Sequence, residues 1–133
     1  MPRTPRIDAP GTRHHVMNRG ARHAPIFRDD HDCGLFLEIL SHIPDRFGCE
    51  VHGFALMPNH FHLMLESRRG ELSRAMGYLT SRFAVRLNQR EGWDGPLFRG
   101  RFRNRVVWYE QHWVHLLAYL HLVDPVLDLA LHA

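Results

Sequence analysis

Apolar and polar residues alternate along this chain with two periods, and the places where the period changes mark out its elements. From His60 to Glu66 the alternation is one by one. Phe61, Leu63 and Leu65 point one way and His60, His62, Met64 and Glu66 the other, the pattern of a strand with one face on a core. CEVHGFALM (Cys49–Met57) reads as the strand before it, and Pro58-Asn59 between them is a turn signal, so the two are predicted to be antiparallel neighbours. HHVMNRG (His14–Gly20) reads as a short first strand ending at glycine. Elsewhere the period is helical. Phe36, Leu37, Leu40 and Ile43 recur at helix spacing, with Asp29, Asp30 or Asp32 as cap and Pro44 and Gly48 closing the element. From Glu71 to about Gln89, Leu72, Ala75, Met76, Leu79, Phe83 and Leu87 form an apolar stripe, and Arg74, Arg82, Arg86 and Arg90 stay off it.

RGRFRNRVVW (Arg99–Trp108) predicts a fourth strand with Arg99, Arg101, Arg103 and Arg105 on one face, provided no bulge falls at Gly100. Glu110 to Val123 predicts a third helix that ends before Pro125. The order β-α-β-β-α-β-α is that of an α+β, ferredoxin-like split βαβ fold: an antiparallel four-stranded sheet with helices on one face, plus a C-terminal helix. Residues 1–13, with three prolines and a glycine, are read as an extended arm, and 14–133 as one domain.

Composition narrows the partner. All 17 residues of the Lys+Arg count are arginine, and the net charge is +3. Every fixed positive charge is thus a planar fork suited to phosphate, which permits a nucleic-acid partner without requiring one. No apolar stretch reaches membrane-span length and the N-terminus lacks the apolar segment of a signal peptide, so a cytoplasmic location with no membrane partner is expected. Cys33 and Cys49, with no CxxC spacing, are read as reduced thiols.

Candidate chemistry centres on His60 and His62. Positions i and i+2 of a strand share a face, and two neutral imidazoles so placed can hold one metal ion. In a chain with 12 histidines such a pair also arises by chance, and by itself the pattern favours two ordinary surface or half-buried histidines. The arginine row is open to two readings in the same way, a phosphate-gripping stripe or a solvated outer face. Trp93 and Trp108 could stack on unpaired bases, whereas Trp113 lies on the apolar side of its helix and is expected in the core. Arg3, Arg6 and Arg13 give the arm the charge to reach a nucleic-acid stem.

Four segments together resemble one family. FALMPNHFHLMLE (Phe54–Glu66) resembles the signature of the HUH single-tyrosine transposases, nearest the branch associated with repetitive extragenic palindromes (REP). HHVMNRG, GPLFRGRFRNRVV and LLAYLHLVDPV resemble that family's first strand, its strand after the second helix and its last helix, in the family's order. The resemblance implies that His60 and His62 ligate a divalent metal, Mg2+ or Mn2+, and that Tyr119 is the nucleophile. It further implies cleavage of single-stranded DNA near a hairpin, through a covalent 5′-phosphotyrosine link that leaves a free 3′-OH. Arg19, within the asparagine-arginine-glycine segment, would contact DNA.

The last helix departs from the family's pattern of tyrosine, three residues, asparagine, proline. Here one residue more separates Tyr119 from Pro125. Val123 holds the position expected to supply a metal ligand and cannot. Asp124 has the right chemistry but lies roughly 140° around a regular helix from Tyr119. A helix that loosens before Pro125 would bring it back; His115 and His121 are the other candidates. If the proline anchored the alignment, Leu120 would take the catalytic place and the chain would be an inactive module that binds hairpin DNA. The match of YLHL around the extra residue favours Tyr119, and Tyr78 and Tyr109 are read as structural. Homodimer and monomer both fit.

Overall fold

The computed structural model describes residues 8–123, with side chains through Leu120. Four strands, β1 (Thr12–Arg19), β2 (Cys49–Met57), β3 (His60–Ser67) and β4 (Arg103–Val106), form one antiparallel sheet in the order β2-β3-β1-β4. Helices α1 (Asp30–Leu40), α2 (Ile43–Phe47) and α3 (Leu72–Glu91) lie on one face. Helix α4 (Glu110–Val123) packs on the other, against β2. This is the α+β fold expected from the alternation, with its last helix on the far side of the sheet.

The main core lies between the sheet and α1–α3. Phe61, Leu63 and Leu65 of β3 and Val16 of β1 meet Phe36 of α1 and the whole predicted stripe of α3, all fully buried. At its centre the rings of Phe27, Phe36, Phe61 and Phe83 stand 5.0–5.5 Å from their neighbours in edge and tilted contacts, geometries that add to the burial term. A bulge in β2 between Val51 and Gly53 shifts its alternation by one, so that Cys49 and Val51 before it, and Phe54 and Leu56 after it, face the same core. Cys33 and Cys49 are buried and form no disulfide; burial pushes the Cys49 thiol up to about 11.

Three local expectations are corrected. Pro44 does not close the first helix. It sits in the first turn of a short α2, where its missing N–H costs nothing, and Gly48 at φ 65° ends that helix. β1 begins at Thr12, two residues earlier than read, because those residues still pair with Ser67 and Glu66 of β3. β4 keeps only four of the ten residues from Arg99 to Trp108, since the chain turns before it: Asn18 Nδ2 donates to the Gly100 carbonyl at 3.1 Å and Arg99 N to the Arg19 carbonyl at 3.0 Å.

Two helix starts show how distant residues complete local structure. Asp29 caps α1, its carboxylate accepting from Asp32 N at 2.9 Å. The start of α3 is served from before β1: Asp8 accepts from Leu72 N and from Ser67 Oγ, both at 2.8 Å. Arg3 and Arg6 lie outside the described residues.

Candidate active site

Strand β3 places His60 and His62 on the sheet face opposite the main core, both half-buried, with ring centroids 5.1 Å apart and planes at 82°. The register sets their neighbours: Arg19 of β1 stands opposite His60, and Met17 of β1 and Ala55 of β2 flank His62. His60 Nδ1 lies 2.8 Å from Asn59 Oδ1. An amide oxygen only accepts, so that nitrogen carries a proton. His62 Nδ1 lies 3.0 Å from Nε2 of His15, whose ring meets it end to end, centroids 5.2 Å apart and planes at 25°. Burial, then the neighbouring His15 and His60, push His62 down to about 4, so it is neutral at pH 7 and has a lone pair to give. Burial and the charges of Arg105 and His112 hold His15 below its ordinary range as well.

His15 was not singled out in the sequence. Alternation along β1 puts it on the face of Arg13, Met17 and Arg19, but which β3 residue it meets depends on register, and register is a tertiary fact.

Helix α4 covers the β2–β3 half of this face through Trp113 and Leu120, which join Ala55, Met64 and Val107 in a small second cluster flanked by Leu116 and Leu117. Trp113 is in the core as expected. Its ring meets His52, the bulge residue, and the Arg13 guanidinium 5.3 Å from its centroid, while Arg13 pairs with Glu110 at the helix start. Leu117 comes so close to Gly53 that a Cβ there would lie 2.9 Å from Leu117 Cδ2. The helix thus starts at the Arg13–Glu66 end of the sheet and its C-terminal half runs toward Ala55 and His62.

That docking treats Tyr119 and Leu120 oppositely. Leu120 is 3% exposed in the second cluster, whereas Tyr119 is 62% exposed. His112 and Tyr119, about two turns apart on α4, share one exposed flank of the helix. His115 is exposed. Asp124 and the side chain of His121 lie outside the described residues.

The β1–β4 half of the same face is open and basic. Arg103 and Arg105 on β4, opposite Met17 and His15, are exposed. Arg99 and Arg101 are exposed too but precede β4, so the predicted row of four splits into two on the strand and two on the turn. Arg19 Nη1 lies 2.9 Å from His23 Nε2, and Arg19 Nε is, among the described residues, the buried side-chain nitrogen without a hydrogen-bond partner. Trp108 is 66% exposed; Trp93 is held under the Arg28 guanidinium, 4.7 Å from its centroid.

Among the described residues, a different trio brings its ligand atoms within 4.8 Å of one another: Asp29, His31 and Asp32. Asp29 is the α1 cap, and the buried Asp32 carboxylate is gripped by Arg28 Nε at 2.9 Å and Arg90 Nη1 at 2.7 Å. Two guanidinium groups already neutralise this cluster, which makes it a structural tie between α1 and α3.

The family described as Transposase IS200 like matches residues 10–117. The chain belongs to that family. The fold of this IS200-like transposase is similar to that of a REP-associated tyrosine transposase solved bound to a REP hairpin, with TM-score 0.71 and 14% identity over 91% of this chain and 71% of that one. It is also similar to a transposase candidate from Deinococcus radiodurans R1, with TM-score 0.58 and 18% identity over 92% and 98% of the two chains. No curated protein matches. Membership of this HUH single-tyrosine transposase family and the shared fold support a transposase-like role in DNA processing. The family match stops two residues short of Tyr119. No helix among the described residues is long and apolar enough to cross a membrane.

Proposed function

We propose that this transposase-family protein is a divalent-metal-dependent transesterase of single-stranded, hairpin-containing DNA, with Tyr119 as nucleophile. The observation that carries the reading is the docking of α4. The helix packs on the very face that bears His60 and His62, and it buries Leu120 while leaving Tyr119 exposed.

The donor set fits a metal. Two imidazoles stand side by side, each with Nδ1 engaged by a neighbour, which leaves Nε2 as the nitrogen to ligate when the ring is neutral. His60 and His62 would hold Mg2+ or Mn2+, and the nitrogen donors suit manganese the better. Asp124 is the proposed third donor. Such an ion would polarise the scissile phosphate and offset charge in the transition state.

The chain's own groups supply the rest. Tyr119 Oη attacks phosphorus as the P–O3′ bond breaks; the phenol gives up its proton and the departing 3′ oxygen takes one, leaving a 5′-phosphotyrosine and a free 3′-OH. Nothing is oxidised and no triphosphate is consumed, so the link stores the phosphodiester for rejoining. Arg19, opposite His60, stands where its guanidinium would meet the phosphate next to the reacting one. Arg103 and Arg105, with Arg99 and Arg101 on the turn before them, would track the backbone across the open half of the face.

The test is a hairpin oligonucleotide with a single-stranded flank, incubated with Mn2+ and run on a denaturing gel. Wild-type protein should give a covalent adduct, absent in Tyr119→Phe. His60→Ala and His62→Ala should each abolish the adduct while largely sparing hairpin binding. An adduct that persists in Tyr119→Phe would overturn the assignment, and tight binding without any adduct in Mg2+ or Mn2+ would make the protein a binding module.

A further inference from the structure

A metal-binding histidine needs two things from its ring: a lone pair on the ligating nitrogen, and a partner for the N–H of the other. For His60 that partner is the neighbouring Asn59 side chain. For His62 it is a third histidine from another strand. His15 Nε2 and His62 Nδ1 are 3.0 Å apart, and the two ring planes lie within 25° of each other with centroids 5.2 Å apart, an end-to-end arrangement in which the N–H of one ring points along the lone pair of the other.

A hydrogen bond between two neutral imidazoles runs in one of two directions, and the directions have opposite consequences. If His15 donated from Nε2, His62 Nδ1 would be the acceptor and its proton would sit on Nε2, the nitrogen that must face the ion. If His62 donates from Nδ1, His15 Nε2 accepts, the His15 proton moves to Nδ1, and His62 Nε2 is free to ligate. Only the second direction is compatible with a metal on the pair.

We infer that His15 is a positioning residue for the metal site, its Nε2 accepting the Nδ1 proton of His62 so that Nε2 of His62 presents its lone pair to the ion. The inference rests on the proposed role of His60 and His62 as ligands. It adds a residue from β1 to a site otherwise read from β3 and α4.

Two substitutions separate acceptor from shape. His15→Phe keeps a flat ring beside His62 but has no acceptor; His15→Gln loses the ring and keeps an oxygen near the position of Nε2. In the full-length protein, titrated with Mn2+ and followed by calorimetry or by the electron-spin signal of the free ion, His15→Phe should bind about 10–100-fold more weakly than wild type. His15→Gln should stay within about threefold. Long-range nitrogen–proton NMR on the metal-free protein reads the tautomers directly: His62 should carry its proton on Nδ1 in wild type and in His15→Gln, and lose that preference in His15→Phe. Wild-type affinity in His15→Phe, equal weakening in His15→Gln and His15→Phe, or a wild-type His62 protonated on Nε2 would each overturn the inference. The tautomer measurement on wild type stands even if His15→Phe does not fold. Binding lost in His60→Ala and His62→Ala but unchanged in His15→Phe sinks this inference alone, whereas wild-type protein that takes up no Mn2+ sinks the metal reading and this inference with it.

Discussion

Strand β3 shows both faces of the sheet in eight residues. Toward α1, α2 and α3 it presents Phe61, Leu63 and Leu65, fully buried among phenylalanine rings and the α3 stripe. Toward α4 it presents His60, His62 and Glu66, with Met64 alone fully buried. The first face is dry, closed by three helices and built of large apolar side chains. The second is half covered by one helix through a small cluster and half open, lined with arginines. The contrast shows how stability and chemistry can be separated. A two-sided sheet lets one face supply most of the apolar burial while the other carries half-buried imidazoles and a helix held by few side chains.

The largest break should come from the dry face. Phe36→Ala removes a fully buried ring that touches Phe27, Phe61 and Phe83, and should cost about 3–5 kcal/mol in urea unfolding. A domain of this size has about 5–15 kcal/mol to lose, so the midpoint should fall steeply. Leu120→Ala on the second face should cost less, about 2 kcal/mol, because its small cluster can relax around the gap. Its mark should be on adduct formation, since α4 is what carries Tyr119. Equal losses of stability from the two substitutions would show that the faces are not unequal after all.

Charge changes on the open half should be nearly silent in stability. Arg105→Ala should leave unfolding within about 0.5 kcal/mol of wild type. It should weaken single-stranded DNA binding and reduce the salt slope by about 0.7 for each phosphate that the side chain neutralises. A slope unchanged in Arg105→Ala would remove the open half of the face from the DNA path.

The smallest effect should appear in the pH dependence of the dry face's edge. The hydrogen bond from Asp32 N holds Asp29 below the usual carboxylate range, and the Arg28 guanidinium does the same for Glu91. Both contribute stability that is present above about pH 4 and lost as the pH falls through their lowered values. Tm should therefore be level near neutrality and decline below about pH 4. Asp29→Asn, which still caps α1, should make that decline shallower; a decline of unchanged slope would place the acid sensitivity elsewhere.

Much of this fold could be read from alternation. β2, α4, the two faces of β3 and the whole buried stripe of α3 fall where the pattern predicts, because burial on one side of a regular element leaves a regular trace. Where the pattern misled, a distant group had intervened. The Arg19 carbonyl takes up the Arg99 N–H and the Asn18 side chain the Gly100 carbonyl, two groups of the predicted β4, and Pro44, which stops a helix in one place, opens one in another.

Residue order alone is enough to put His60 beside His62 on a strand and Tyr119 beside Leu120 on a helix, since both follow from the local periods of strand and helix. Three things waited for the folded chain: which of those two faces solvent, that α4 lies on the histidine face and not with the other helices, and that His15 reaches His62 from the next strand. Register and docking are set by the summed fit of many side chains remote in the chain, and no short stretch of residues contains that sum.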